Sequence, residues 1–235
     1  RMCLMQLSGS LCLITGASQG LGKALAVALA GKGARLVLCA RSATGLGKTV
    51  ARCETLGANV LHEALDVSDP GAVESFATRV HEEAGPCDLL YGNAALIHRP
   101  APLWEIPSEE FEEVLRVNVC GLATVLRAFL PPMVERGSGF VVNLSSTWGR
   151  SGAGEFTAYC ASKFAVEGLT QALADEVPSG LCVVSLNPGV IATPMLDTAF
   201  RGRTQGCPTP QEWVKGAVTF LAQLGPQHHG QACSL

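Results

Sequence analysis

The chain has 235 residues, 48% of them hydrophobic, and a formal charge of −3. That is enough apolar material for one sizeable core, and with no linker or low-complexity tract a single domain over 1–235 is expected. The scattered, nearly balanced charge excludes a broad basic face for nucleic acid; apolar runs under about ten residues, each broken by Gly, Pro or charge, exclude a membrane span of ~20.

The residues before Leu11 do not read as a secretory leader. Ten cysteines include no Cys-x-x-Cys spacing, and Cys12, Cys39, Cys120 and Cys182 sit in apolar runs, so they read as free thiols in a reducing, cytoplasmic compartment. His228-His229 has no acidic or thiol neighbour in the sequence, and no metal site is expected.

Along the chain, short apolar runs alternate with segments of helical period. A strand at Leu11–Thr15 leads through a turn into a helix at Leu21–Lys32. The turn contains Gly16, Ser18, Gln19, Gly20, Leu21 and Gly22, spaced Gly-x-x-x-Gly-x-Gly. Glycines between a first strand and a first helix let backbone approach a pyrophosphate, whose charge the helix amides hold. The second strand, Arg35–Ala40, ends with Ala40 where an NAD enzyme usually places an acid, followed by Arg41-Ser42. A guanidinium there can fork onto a ribose 2′-phosphate, which favours NADP(H). A helix follows at Gly45–Leu56, then a strand at Val60–Asp66, where Asp66 and Val67 fit an adenine lining, then a helix at Pro70–Ala84.

After a strand at Asp88–Asn93, one helix is expected from Ser108 to Glu135, with Ser108 as its N-cap and acids in its first turn. Further strands fall at Phe140–Ser145 and Cys182–Asn187. Helices fall at Thr157–Glu176, stopped by Pro178-Ser179-Gly180, and at Gln211–Leu224. Continuous Val/Ile/Leu runs are what strands covered on both faces look like. The expected fold is therefore a single-domain, Rossmann-like, doubly wound α/β sheet of about seven parallel strands, its ligands at the carboxyl ends. The irregular stretches Ile97–Ile106 and Thr193–Pro210 follow strand ends and are candidate substrate walls and lid.

Tyr159 and Lys163 stand four apart in a helical segment, so both side chains share one face. A free phenol with a pKa near ~10 is a slow acid at neutral pH, and an ammonium within roughly 4–6 Å lowers that value. The pair reads as a tuned general acid.

Together with the TGASQGLG turn, Asp66, Asn93-Ala94, Asn118, Ser146 thirteen residues before Tyr159, and Asn187-Pro188-Gly189 followed by Thr193, this segment resembles the short-chain dehydrogenase/reductase family over essentially the whole length. The resemblance implies that Ser146 bonds a substrate carbonyl, Tyr159 protonates it, Lys163 holds the nicotinamide ribose, and Asn118 anchors a water in a proton relay. It also implies that Pro188, Gly189, Val190 and Thr193 border the nicotinamide, and that a homodimer or homotetramer packs through 110–135 and 157–176. Gly92 and Ala95 depart from the family's Asn-Asn-Ala-Gly; a left-handed backbone at Ala95 would be strained by about 1 kcal/mol or more.

Leu144–Gly152 and Pro210–Trp213 further resemble the plant-type NADPH-dependent pterin aldehyde reductases within that family, which implies reduction of 6-formylpterin to 6-hydroxymethylpterin in folate salvage. Trp148 is then a candidate for stacking on the pterin, or else loop packing. Alternatives are a broad carbonyl reductase or a 3-oxoacyl carrier-protein reductase, for which His98, Arg99, Arg201 and Arg203 are candidate basic contacts. A different class is a non-catalytic NADPH-binding redox sensor, against which the intact Asn118, Ser146, Tyr159 and Lys163 set argues.

Overall fold

Seven strands pair in the order β3-β2-β1-β4-β5-β6-β7, every pair parallel, in a computed structural model that describes residues 4–202 and 204–235. They are β1 Leu11–Thr15, β2 Arg35–Ala40, β3 Val60–Ala64, β4 Leu89–Gly92, β5 Gly139–Leu144, β6 Leu181–Asn187 and β7 Ala232–Ser234. Alternation along each strand divides the core into two layers. Cys12, Ile14, Leu36, Leu38 and Val142 meet the helices α1 Gly20–Ala30, α2 Ala43–Glu54 and, further along the chain, Pro210–Gln223. Leu13, Val37, Leu90, Val141 and Val183 meet α3 Pro70–Ala84 and the helices between β4 and β6.

The helix expected over Ser108–Glu135 is three pieces: α4 Ser108–Leu115, a π-helical segment Arg116–Gly121, and α5 Leu122–Arg136. Its N-cap is Pro107 rather than Ser108, which makes no capping bond, although Glu109 and Glu110 do occupy the first turn. By length and composition this continuous run could cross a bilayer, contrary to the short apolar runs seen in the sequence. Half of its most apolar stretch is buried, with Val117, Leu126, Phe129 and Met133 in the core layer on one face of the sheet, which is the behaviour of a core helix.

The chain continues with α6 Thr157–Glu176, α7 Pro194–Phe200 and α8 Pro210–Gln223. α7 lies inside the stretch read as lid. Its N-cap Thr193 accepts from Leu196 N–H at 3.2 Å, and Pro194 supplies a preset first turn. Thr209 and Glu212 close a reciprocal capping box on α8. Chain order reverses between β1 and β4, and the carboxyl ends of those two strands open the crevice where such sheets bind ligands.

Candidate active site

A cavity of about 500 Å³ lies along that crevice. Its lining contains Gly16, Ser18, Gln19, Gly20, Leu21, Arg41, Ser42, Asp66, Val67, Asn93 and Ala94 at one end. Ser146, Trp148, Tyr159, Lys163, Pro188, Gly189, Val190 and Thr193 also line it. Gly22 and Asn118, singled out in the sequence, do not; both are buried beside it.

The glycine-rich turn owes its shape to Asn93. The Asn93 side-chain amide donates to the Thr15 and Gly16 carbonyls at 2.8 and 3.3 Å, while Thr15 Oγ1 accepts from the N–H of Asn93 and of Ala94. A Cβ on Gly22 would stand 2.5 Å from the Gly16 carbonyl oxygen and 2.6 Å from Asn93 Nδ2. Gly22 is therefore a packing glycine beneath the turn. Above it, Gln19 gives α1 no side-chain cap, no acid stands in the first turn, and among the described residues no protein group bonds the N–H of Gly20 or Leu21. Uncapped amides facing a cavity suit an anion.

At the strand-two end, Arg41 lies 3.6 Å from Glu113, an exposed pair worth little in water and readily exchanged for another anion. Ser42 caps α2 by accepting from Gly45 N–H at 3.1 Å. Burial alone would raise the Asp66 carboxyl, but bonds from the Ser68 hydroxyl and N–H, with Arg41 and Arg116 nearby, hold it below its ordinary value.

The departures at Gly92 and Ala95 are absorbed without strain. Among the described residues the only non-glycine residues with positive φ are Glu155 and Arg201, so Ala95 needs no left-handed backbone. A Cβ at Gly92 would lie 2.5 Å from Leu122 Cδ1, which fills the space a larger residue would take.

Tyr159 and Lys163 project from α6, at 7% and 4% exposure. Lys163 Nζ donates to the Leu144 carbonyl at 2.7 Å and lies 5.6 Å from the Tyr159 ring centre. Burial pushes the Tyr159 phenol up to about 12, with the neighbouring Ser146 hydroxyl working against it. Burial likewise lowers Lys163 to about 8, with Glu167 pulling it back up. The lowering of the phenol expected from Lys163 is therefore not found: burial raises Tyr159, and the group that opposes the rise is Ser146. Asn118 sits in the π segment, a feature common at functional sites. Its Oδ1 accepts from Leu96 N–H at 2.6 Å, and its amide donates to the Leu96 carbonyl and Ser162 Oγ, both at 2.9 Å.

Trp148 stacks on Phe156 with ring centres 4.6 Å apart, meets Tyr159 edge-on at 6.0 Å, and faces Phe200 of α7 at 6.2 Å and 30°. The indole is thus packed tightly on Phe156 and more loosely against Phe200 of α7. Phe200 carried no sequence signal beyond its place in an irregular stretch. Glu155 and Arg201, which flank Phe156 and Phe200 in the chain, form a 3.9 Å ion pair. Of the basic contacts considered for a carrier protein, Arg201 is so paired, His98 is buried, and Arg203 lies outside the described residues.

This order of turn, cavity and Ser-Tyr-Lys wall is that of a known class, and the short chain dehydrogenase family model matches residues 10–204. The chain belongs to that family of oxidoreductases. It is 42% identical over 220 residues to an NADPH-dependent pterin aldehyde reductase of Arabidopsis thaliana, covering 93% of this chain and 90% of the relative. It is 33% identical over 192 residues to the 3-oxoacyl-(acyl-carrier-protein) reductase of Escherichia coli, covering 81% and 77%. The crystal structure of levodione reductase superposes with a TM-score of 0.90 at 30% identity, covering 98% of this chain and 97% of that one.

Proposed function

We propose that the protein is an NADPH-dependent reductase that turns a carbonyl into an alcohol, with pterin aldehydes as its substrates. One observation carries the first part: Ser146, Tyr159 and Lys163 share a cavity with the uncapped N-terminus of α1. In that cavity the Gly20 and Leu21 amides would hold the pyrophosphate of NADPH, Arg41 its 2′-phosphate, and Asp66 and Val67 its adenine, while Pro188, Gly189, Val190 and Thr193 would border the nicotinamide. When bound, it supplies the hydride.

The protein's own part is electrostatic. Ser146 donates to the carbonyl oxygen as negative charge grows there, and Tyr159 delivers the proton. The Tyr159 phenol is protonated at neutral pH, and because burial at about 12 makes it a weaker acid than a free phenol, its donation depends on the charge that grows on the carbonyl oxygen. Lys163 holds the nicotinamide ribose. Asn118 fixes the π segment against Leu96, leaving one lone pair of its Oδ1 for the relay water that the family pattern implies.

Arg41→Ala is expected to cut kcat/KM with NADPH by about 10–100-fold and leave NADH nearly unchanged, since it removes a charge-assisted contact to the 2′-phosphate alone. Equal losses with both cofactors would refute that placement.

Two observations support the pterin: the Arabidopsis relative, and the Trp148 face turned toward Phe200 beside the catalytic wall. Trp148→Ala should raise KM for 6-formylpterin roughly tenfold and leave that for a small aliphatic aldehyde unchanged. The deciding experiment follows NADPH oxidation with 6-formylpterin beside aromatic aldehydes, quinones and acetoacetyl thioesters. Preference for the pterin supports this reading, equal rates mean a broad carbonyl reductase, preference for thioesters means a carrier-protein reductase, and silence despite NADPH binding means a sensor. The same reading makes the protein a cytoplasmic homodimer or homotetramer, packed through 110–135 and 157–176, where Val134 and Phe164 present apolar surface.

A further inference from the structure

The Ser146 loop, the helix of Tyr159 and Lys163, and the last strand meet at a half-buried ion pair, Arg150 with Glu167, that the reading above does not use. Glu167 lies one turn beyond Lys163 on α6 and is 6% exposed. Its Oε1 accepts from Arg150 Nε at 2.8 Å and its Oε2 from the Ser185 hydroxyl of β6 at 2.5 Å. Arg150, four residues after Ser146, uses its other nitrogens on β7: Nη1 donates to Ser234 Oγ at 2.9 Å and Nη2 to the Cys233 carbonyl at 2.8 Å. As a strut this is a poor choice, because an ion pair with one solvent-exposed partner adds little net stability. An apolar strut, however, would put no negative charge one helical turn from Lys163.

We propose that Glu167 is a positioning residue, whose carboxylate keeps the Lys163 ammonium charged and whose bond to Arg150 sets the Ser146 loop and β7 against α6. The groups facing Lys163 are the Tyr159 phenol and Glu167 on its own helix, the Leu144 carbonyl of β5, and, behind Glu167, the Arg150 guanidinium and Ser185 hydroxyl. Burial draws Lys163 down to about 8, and Glu167 is the group that opposes it. Whatever needs a charged Lys163 is therefore lost as pH rises through about 8, and loss of the carboxylate brings that point lower.

The proposal rests on Lys163 acting on the cofactor, so its test reads cofactor binding as well as turnover. The NADPH dissociation constant and kcat/KM for a carbonyl substrate are measured against pH for the wild type, Glu167→Gln and Arg150→Gln. In Glu167→Gln the alkaline limb of both should move down by about one pH unit, because the lysine loses its counter-charge. Arg150→Gln leaves that charge uncompensated and should move the limb up. A folded Glu167→Gln whose binding limb stays in place overturns the proposal, as does an Arg150→Gln limb that moves down. If Glu167→Gln does not fold, the Arg150→Gln limb decides alone. A wild type that binds NADPH but reduces no carbonyl refutes the reductase reading, and the binding limbs still decide this one.

Discussion

Tyr159→Phe is expected to lower kcat by about a thousandfold and to leave the NADPH dissociation constant within a few-fold of wild type. The variant deletes one oxygen from a side chain that is 7% exposed and held on a long helix, so the ring and its packing stay. What goes is the hydroxyl proposed as the proton donor, and positioned general acids contribute roughly 10²–10⁴-fold. Ser146→Ala should cost about 10²–10³-fold by removing the bond to the developing oxyanion. Single-turnover reduction with NADPH prebound checks both. Near-normal turnover in Tyr159→Phe would overturn the assignment of the acid.

The second large effect is on stability in alkali, which should fall steeply above about pH 9. Burial raises Cys12 and Cys39 from 9.0 to about 12, and raises Cys87 further. The stability gained by keeping these thiols neutral is whole below 9.0, where the unfolded chain begins to ionise, and is lost as pH climbs toward 12. Lys163 runs the other way: its buried ammonium costs stability below about 8, and that cost is relieved by 10.5. Between 9.0 and 10.5 the unfolded chain has shed these three thiol protons and kept one lysine proton more than the folded state, so the thiols win. These groups alone give a slope of about 3 kcal/mol per pH unit, and Cys53 and Cys182, raised to about 11 and about 12, steepen it in the same direction; that is large against the roughly 5–15 kcal/mol that holds a domain folded. Urea unfolding at a series of pH values measures it; a flat profile across that window would show that the thiols are not held as described.

Much of this was legible in the sequence because of what each element buries. β1, β2, β5 and β6 are covered on both faces and so are continuous apolar runs, which periodicity finds easily. β7 is three half-exposed residues with no such run; it is a strand because β6 offers it an edge and Arg150 bonds it. Of the candidate site residues, those whose role depends on backbone position, such as Gly20 and Thr193, were read from their place after a strand. Gly22 and Asn118 were read as site residues too, but their side-chain environments, under the turn and against Leu96, are tertiary facts. So are the burial that reverses the Tyr159 shift, the π segment inside what periodicity gives as one helix, and the meeting of Arg150 with Glu167, seventeen residues on. No local pattern encodes these, because the partner comes from another layer of the fold.

The stack of Phe156, Trp148 and Phe200 makes the lid a rival of any flat ligand. A ring inserted between Trp148 and Phe200 needs about 7 Å between their planes, two van der Waals thicknesses, more than the 6.2 Å that separates their centres. The two rings therefore cannot touch each other and grip a guest together. Phe200, tethered by its own helix at a high effective concentration, competes for the indole face that the guest would take. An aromatic contact of about 0.5–1.5 kcal/mol makes that rivalry worth roughly two- to tenfold in apparent affinity. Under the proposed function that weakness would suit turnover, since a ring displaced by a planar substrate would compete equally with its product for the indole face.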